Sequence, residues 1–254
     1  MSLNLCSLNS GSNGNCYYIG TETEAVLVDA GINCREIERR MLRAGLSLEN
    51  VKGIFISHEH TDHTRGVEVL SRKHRIPVYI SSPTMLKSMM WFEPDLVRIF
   101  ASNEVVQLDE LQVKIFPKIH DGIDPHSFTI SCGSITAGVF TDIGMACGNL
   151  LSHFSNCHAA FLESNYDESM LENGRYPIHL KRRIRGGNGH LSNIQALDVF
   201  MNHRASFLKL LVLSHLSEQN NHPEIVNKLF APHANGTVVA VASRYSESRV
   251  FKVK

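Results

Sequence analysis

The sequence predicts an α/β fold in which two sheets share one core. Three observations lead there. Up to Met90, short apolar runs alternate with amphipathic stretches in a βαβα rhythm. From Leu111 to Phe140 the chain turns strand-rich, with short turns between the runs. After Ala159 the α/β alternation returns. The chain is read as one domain over residues 1–254.

Taken in order, Cys16–Ile19 and Ala25–Val28 read as strands parted by the polar turn Gly20-Thr21-Glu22. Asn33 and Glu36 have the spacing of a capping box. Ile37 and Met41 then fall one helical turn apart, and Gly45 is placed to end that helix. The apolar run Gly53–Ser57 has the profile of a buried strand, and a helix is expected from about Thr64 to Lys73. Pro77–Ile80 is the next strand. Ser82 and Pro83 read as N-cap and first residue of a helix through Met90.

Leu111–Phe116, Ser127–Ser131 and Ser134–Phe140 are strand-like, with Cys132-Gly133 as a tight hairpin turn. Ala159–Leu162 is a strand. Ser192 and Gln195 form a second capping box, opening a helix to about Met201. Leu210–Leu213 is a buried strand, Pro223 starts a helix to about Phe230, and Thr237–Ala242 is the last strand.

The composition narrows the function. Lys+Arg 25 balances Asp+Glu 25, so the chain is not a globally basic coat for nucleic acid. Any polyanion must be met by local patches or bound metal. No apolar run approaches the roughly 20 residues that span a bilayer, and the N-terminus lacks the pattern of a signal peptide. The six cysteines form no C-x-x-C pair and read as reduced thiols of a cytoplasmic protein. The 14 histidines point to metal or acid–base chemistry.

The strongest signal follows the strand ending at Ser57. His58-Glu59-His60-Thr61-Asp62-His63 packs three imidazoles and a carboxylate into one loop. Nitrogen donors suit Zn, Mn, Fe or Ni, and a carboxylate adds charge compensation. Neighbouring side chains in one loop diverge, so two ions sharing the set is the natural reading. Asp142 and His215 each follow a strand-like run as well. In a layered α/β fold, strand ends on one edge collect into one cleft.

These residues resemble the metallo-β-lactamase superfamily, whose motif is H-x-H-x-D-H. The resemblance implies a four-layer αβ/βα sandwich: two mixed sheets with helices outside and a dinuclear metal site at one edge. It assigns His58, His60 and His120 to one divalent ion and Asp62, His63 and His215 to the other, with Asp142 between them. Asp29, in Val28-Asp29-Ala30-Gly31, would support the metal loop without binding metal.

Finer features choose a branch. His60 stands where flavodiiron proteins carry Glu, and no cysteine stands where one class of β-lactamase has its Cys ligand. The Ser10–Asn15 loop, His120-Asp121 with Asp124-Pro125, Glu163-Ser164-Asn165, Gly189–Asn193 and Ser214–Asn221 resemble the YycJ (WalJ, VicX) family, akin to RNase Z and RNase J. The interval from Asp142 to His215 is too short for the domain inserted in RNase J, and no insertion matches the tRNA-binding arm of RNase Z. The resemblance implies a 5′-to-3′ exonuclease acting on DNA, either single-stranded or an end-containing duplex. A hydroxide shared by two cations roughly 3.5–4 Å apart would attack phosphorus.

Within that reading Asp62 orients the nucleophile, and His190 is the candidate proton donor. The loop residues Ser10, Ser12 and Asn13 are candidates to approach phosphate. The basic run holding Lys181, Arg182 and Arg183, beside flexible Gly186–Gly189, is the candidate strand-tracking patch. Two other readings compete. One is a metallo-hydrolase of thioester, lactone or β-lactam bonds; the other is a non-catalytic metal-binding regulatory protein.

Overall fold

A computed structural model describes residues 1–254. The first sheet is built from β1 (Leu3–Asn9), β2 (Cys16–Gly20), β3 (Ala25–Val28), β4 (Val51–Phe55), β5 (Val78–Ser81) and β6 (Val97–Phe100). Between them run α1 (Cys34–Arg43), α2 (Thr61–Thr64), α3 (Val67–His74) and α4 (Ser82–Ser88). The second sheet contains β7 (Val105–Gln107), β8 (Gln112–Pro117), β9 (His126–Cys132), β10 (Ile135–Phe140), β11 (Ala159–Glu163), β12 (Leu210–Ser214) and β13 (Val238–Val241). Its helices are α5 (Gly148–Phe154), α6 (Glu168–Asn173), α7 (Ile178–Arg185), α8 (Asn193–His203) and α9 (Pro223–Phe230). A final strand, β14 (Phe251–Val253), returns to pair antiparallel with β1.

Each sheet has seven strands, in the orders β14-β1-β2-β3-β4-β5-β6 and β13-β12-β11-β10-β9-β8-β7. Both are mixed. β3 through β6 are parallel in the first, and β10 through β13 are parallel in the second. Parallel strands are covered on both faces, which explains why β3, β11 and β12 are buried throughout and read as unbroken apolar runs.

Three apolar clusters give the four layers. A central cluster joins the sheets face to face, with Tyr17, Val28 and Phe55 meeting Val113, Phe128 and Phe161. A second lies under α1 and α3 around Tyr18, Leu27, Ile37 and Leu70. The third lies under α5, α8 and α9 around Phe140, Phe154, Phe200 and Phe230. The predicted two-sheet sandwich is therefore the observed fold.

Several boundaries differ, each for a local reason. The helix expected over Thr64–Lys73 is α3, which starts only at Val67 and is parted at Gly66 from the short α2 before it. The Gly66 amide donates to Ala30 O, and a Cβ there would lie 2.1 Å from Ile32 O. Ser81, not Ser82, caps α4, accepting from the Thr84 amide. That helix stops at Ser88 because Met89 turns left-handed, at φ 54°. Asn33 does cap α1, and Ser192 with Gln195 does close a full capping box on α8, which runs on to His203.

All six cysteines are free thiols, and no helix is long and apolar enough to cross a membrane.

Candidate metal centre

The parallel strands set the site. Loops leaving the C-terminal ends of β3, β4, β10, β11 and β12 emerge along one edge, where the two sheets face each other. Three residues at these exits, Asp29, Asp142 and His215, hold left-handed backbones at φ 60°, 56° and 57°. Non-glycine residues there cost on the order of 1–2 kcal/mol each, and such backbones cluster at functional sites. Here they turn each side chain sharply out of its strand.

The His58–His63 loop is held from below. Asp29 is fully buried and accepts the Ser57 amide (2.8 Å), the Ser57 hydroxyl (2.8 Å) and His63 Nδ1 (2.6 Å). Ser57 Oγ in turn lies 2.9 Å from His58 Nδ1. Both histidines thus spend Nδ1 on the support and keep Nε2 for the centre.

Two donor groups form above this support. One atom from each of His58, His60 and His120 lies within 4.8 Å of the others. So do atoms of Asp62, His63, Asp142 and His215. Asp142 faces both groups: its Oδ1 is 3.7 Å from His120 Nε2, and its Oδ2 is 3.1 Å from His63 Nε2. All seven predicted ligands therefore converge, although they span more than half of the chain.

The test of whether a metal fits is the state of the donor atoms. His120 Nε2, Asp142 Oδ2 and His215 Nε2 are buried and make no well-aligned hydrogen bond, with only close ionic neighbours: His63 Nε2 at 3.1 Å from Asp142 Oδ2 and Asp121 Oδ1 at 3.2 Å from His120 Nε2. Buried polar atoms are ordinarily paired, and an orphan calls for an explanation such as an ion. The opposite nitrogens are all engaged: His120 Nδ1 with Gly189 O (3.0 Å), His215 Nδ1 with Glu163 Oε1 (2.8 Å). His58 Nε2 and His60 Nδ1 also approach to 3.0 Å, two nitrogens turned toward one place. The donor set fits divalent cations.

Electrostatics separate the two groups. Burial, with His63 and Lys118 adding, pushes His58 well below the usual imidazole range. Burial likewise brings His120 down to about 4 against the pull of Asp142. Both shifts favour the neutral ring, the form whose lone pair can bind a metal. On the other side, burial is outweighed by carboxylates. Asp142, Asp29 and Asp62 hold His63 well above its usual value, and Asp142, Asp62 and Glu163 raise His215 to about 10. Asp142 itself stays well below the carboxylate range, because His215, His63 and Lys118 overcome its burial.

Several participants were given no role by the sequence reading. Asn15 is fully buried, and its Nδ2 reaches Asp62 Oδ2 (3.3 Å) and His63 Nε2 (3.2 Å). Glu163 is fully buried and binds both His190 Nδ1 (2.9 Å) and His215 Nδ1 (2.8 Å). Asp121 Oδ1 stands 3.2 Å from His120 Nε2. Lys118 is buried and donates to Thr141 O (2.7 Å), next to Asp142. Asn15, Asp121 and Glu163 all lie in stretches that carry the family resemblance, but the sequence assigned none of them a role at the centre.

The other candidates lie around this centre. The His190 ring stands 5.3 Å from His120 and 5.2 Å from His215, centroid to centroid. Ser10 is buried: its hydroxyl accepts the His215 amide (2.7 Å) and pairs with the Tyr17 hydroxyl. Asn13 donates to Arg244 O (3.0 Å), and Ser12 is exposed. Lys181, Arg182 and Arg183 sit on α7, a helix the sequence did not announce. Lys181 donates to Glu172 O, Arg183 grips Asp121 (2.6 Å), and Arg182 is exposed.

Gly31 stands where the Asn15 loop crosses the metal loop. A Cβ there would lie 1.6 Å from Asp62 O and 2.7 Å from the Asn15 amide. Gly31→Ala is expected to lower stability by about 1–3 kcal/mol, as overpacking does. It should also weaken metal binding by displacing Asp62. Thermal denaturation with and without metal checks both effects; an unchanged Tm would mean the two loops part freely.

Residues 10–169 match the metallo-beta-lactamase superfamily. The chain is 33% identical over 228 residues to the exodeoxyribonuclease YycJ of Bacillus anthracis, covering 89% of this chain and 86% of the relative. It is 29% identical over 232 residues to the exodeoxyribonuclease WalJ of Streptococcus pneumoniae, covering 87% and 86%. Among solved structures, the metallo-beta-lactamase fold protein YhfI from Bacillus subtilis superposes with a TM-score of 0.73 at 15% identity, over 99% of each chain. That likeness concerns the fold.

Proposed function

The chain belongs to the metallo-beta-lactamase superfamily, in its YycJ/WalJ-type branch, and is a metal-dependent hydrolase; from that premise we propose that its substrate is DNA, from which it removes nucleotides at the 5′ end. The observation that carries the proposal is the convergence of three buried donor atoms without a well-aligned hydrogen bond, His120 Nε2, Asp142 Oδ2 and His215 Nε2, from two adjoining donor groups. The choice of DNA is supported by two relatives named exodeoxyribonucleases. The 5′-to-3′ direction rests on the family resemblance.

Two divalent cations suit the donors. His58, His60 and His120 would hold one, Asp62, His63 and His215 the other, with Asp142 shared. The N/O set accepts Zn, Mn or Fe. When bound, such ions acidify water toward neutral pH and neutralise charge gathering on phosphoryl oxygens.

The chain's own residues do the rest. Asp62, held by Asn15 and partly exposed, orients the attacking water. His190 commits Nδ1 to Glu163, which leaves Nε2 to carry a proton to the leaving oxygen. Exposed Ser12, with Lys181, Arg182 and Arg183 of α7, where Arg183 meets Asp121 beside His120, would offer donors to flanking phosphates. A neutral chain with six free thiols suits a reducing cytoplasm.

The test is digestion of end-labelled DNA by protein stripped with EDTA and reloaded with Mn or Zn. A 5′ label should appear at once as mononucleotide, and a 3′ label should persist on a shortening ladder. Bis-p-nitrophenyl phosphate, nitrocefin and S-lactoylglutathione run in parallel. Turnover of nitrocefin or the thioester with DNA left intact would replace the proposal with a carbonyl hydrolase.

A further inference from the structure

Past His215 the chain leaves the metal centre through Leu216, Ser217 and Glu218. Beside it, β13 ends at Val241 and continues through Ala242 to Tyr245. Between these two segments and Ser10 lies a cavity of about 320 Å³. That is within the size of small organic ligand sites, roughly 300–1,000 Å³. The cavity is one residue from a metal-centre histidine: Ser10, on its wall, accepts the His215 amide at 2.7 Å.

Its lining has two characters. Leu216, Pro223, Val241 and Ala242 make apolar walls. Arg244 brings a cation whose side chain is only 13% exposed. Arg244 Nη1 is buried and makes no hydrogen bond; Glu218 Oε2 approaches it only to 3.5 Å. A buried donor left without an acceptor is costly, so the guanidinium is poised for an acceptor that a ligand brings. At the mouth, the Tyr245 ring lies 72% exposed, 6.0 Å from the Arg244 guanidinium. Its hydroxyl donates to Glu218 Oε1 (3.0 Å), which holds the ring at the rim.

An aromatic face, apolar walls and one guanidinium donor match the chemistry of a nucleobase. Bases stack on aromatic rings, and arginine donates to their ring-edge nitrogen and carbonyl acceptors. We propose that this cavity receives the base of the nucleotide adjoining the scissile phosphate, with Tyr245 as stacking face and Arg244 as donor. The proposal rests on the reading of the substrate as DNA and deepens it. A seated terminal base would bring one phosphodiester at a time to the centre.

The test pairs a cleavage assay with a binding assay that needs no turnover. Two labelled single strands are compared, identical except that one carries an abasic tetrahydrofuran residue next to the first scissile bond. The metal-loaded wild type should cleave the abasic strand about tenfold or more slowly, the scale expected for a lost base stack. Arg244→Ala and Tyr245→Ala should cleave both strands at similar, slow rates. Tyr245 is exposed, so its variant keeps the test open should Arg244→Ala fold poorly. In saturation-transfer NMR on metal-free protein, deoxyadenosine and thymidine should give signals that both variants weaken.

Equal cleavage of the two strands by the wild type, with no deoxynucleoside binding, would overturn the base site and leave the DNA reading standing. Deoxynucleoside binding lost in Arg244→Ala, with no hydrolysis of either strand, would support the base site and sink the DNA reading.

Discussion

Asp142→Asn is expected to lower hydrolysis by orders of magnitude and to reduce the metal held per chain, while the fold survives. Asp142 is the one carboxylate that faces both donor groups, at 3.7 Å from His120 and 3.1 Å from His63. Asparagine tolerates the left-handed backbone that Asp142 adopts, so the change isolates the charge from the turn. Asp142→Ala removes both. In that variant without metal, His63 and His215 lose the carboxylate that Asp142 supplies, and breaking such a buried pairing costs about 3–5 kcal/mol. Elemental analysis of metal per chain, initial rates and thermal melting separate these effects. An Asp142→Asn protein with full metal content and full rate would show that Asp142 is not a ligand.

The candidate ligands stood out in the sequence because a metal site would impose local pattern. His58, His60, Asp62 and His63 must come from one loop, and the loop must leave a buried strand. Asp29, Asp142 and His215 follow the same rule, one strand end each. The sheets were legible because strands buried on both faces, such as β11 and β12, can only be apolar runs. What sequence could not show is pairing across distance. Asn15 meets Asp62 only because Gly31 lets two loops cross without a Cβ. Arg183 grips Asp121 only because α7 packs beside the loop that follows β8. The helix α7 escaped notice because its exposed, basic face outweighs one buried residue, Ile184. The break at Gly66 answers to Ala30 and Ile32, residues of another loop, so no local propensity could have announced it.

Glu163→Gln should have the second large effect, through hydrogen-bond direction alone. Four donors converge on this buried carboxylate: His190 Nδ1 and His215 Nδ1 on Oε1, the amides of Ile143 and Leu191 on Oε2. Glutamine offers one oxygen and one NH₂ in the same space. The backbone amides can only donate, so they claim the oxygen, and the NH₂ is left facing both imidazoles. Each ring must then accept through Nδ1, which moves its proton to Nε2. For His215 that covers the nitrogen that faces the centre, and for His190 it removes the carboxylate that would support a cationic ring, leaving a neutral ring whose Nε2–H is a poor acid. Metal affinity and turnover should each fall, on the scale of 10–100-fold seen when such supporting partners are lost. His190→Ala, by contrast, should lose turnover and keep metal. Competition with a chromophoric chelator gives the affinity, and rates at saturating metal give the turnover. Wild-type values of both in Glu163→Gln would mean that these two histidines are oriented by packing and owe nothing to the carboxylate.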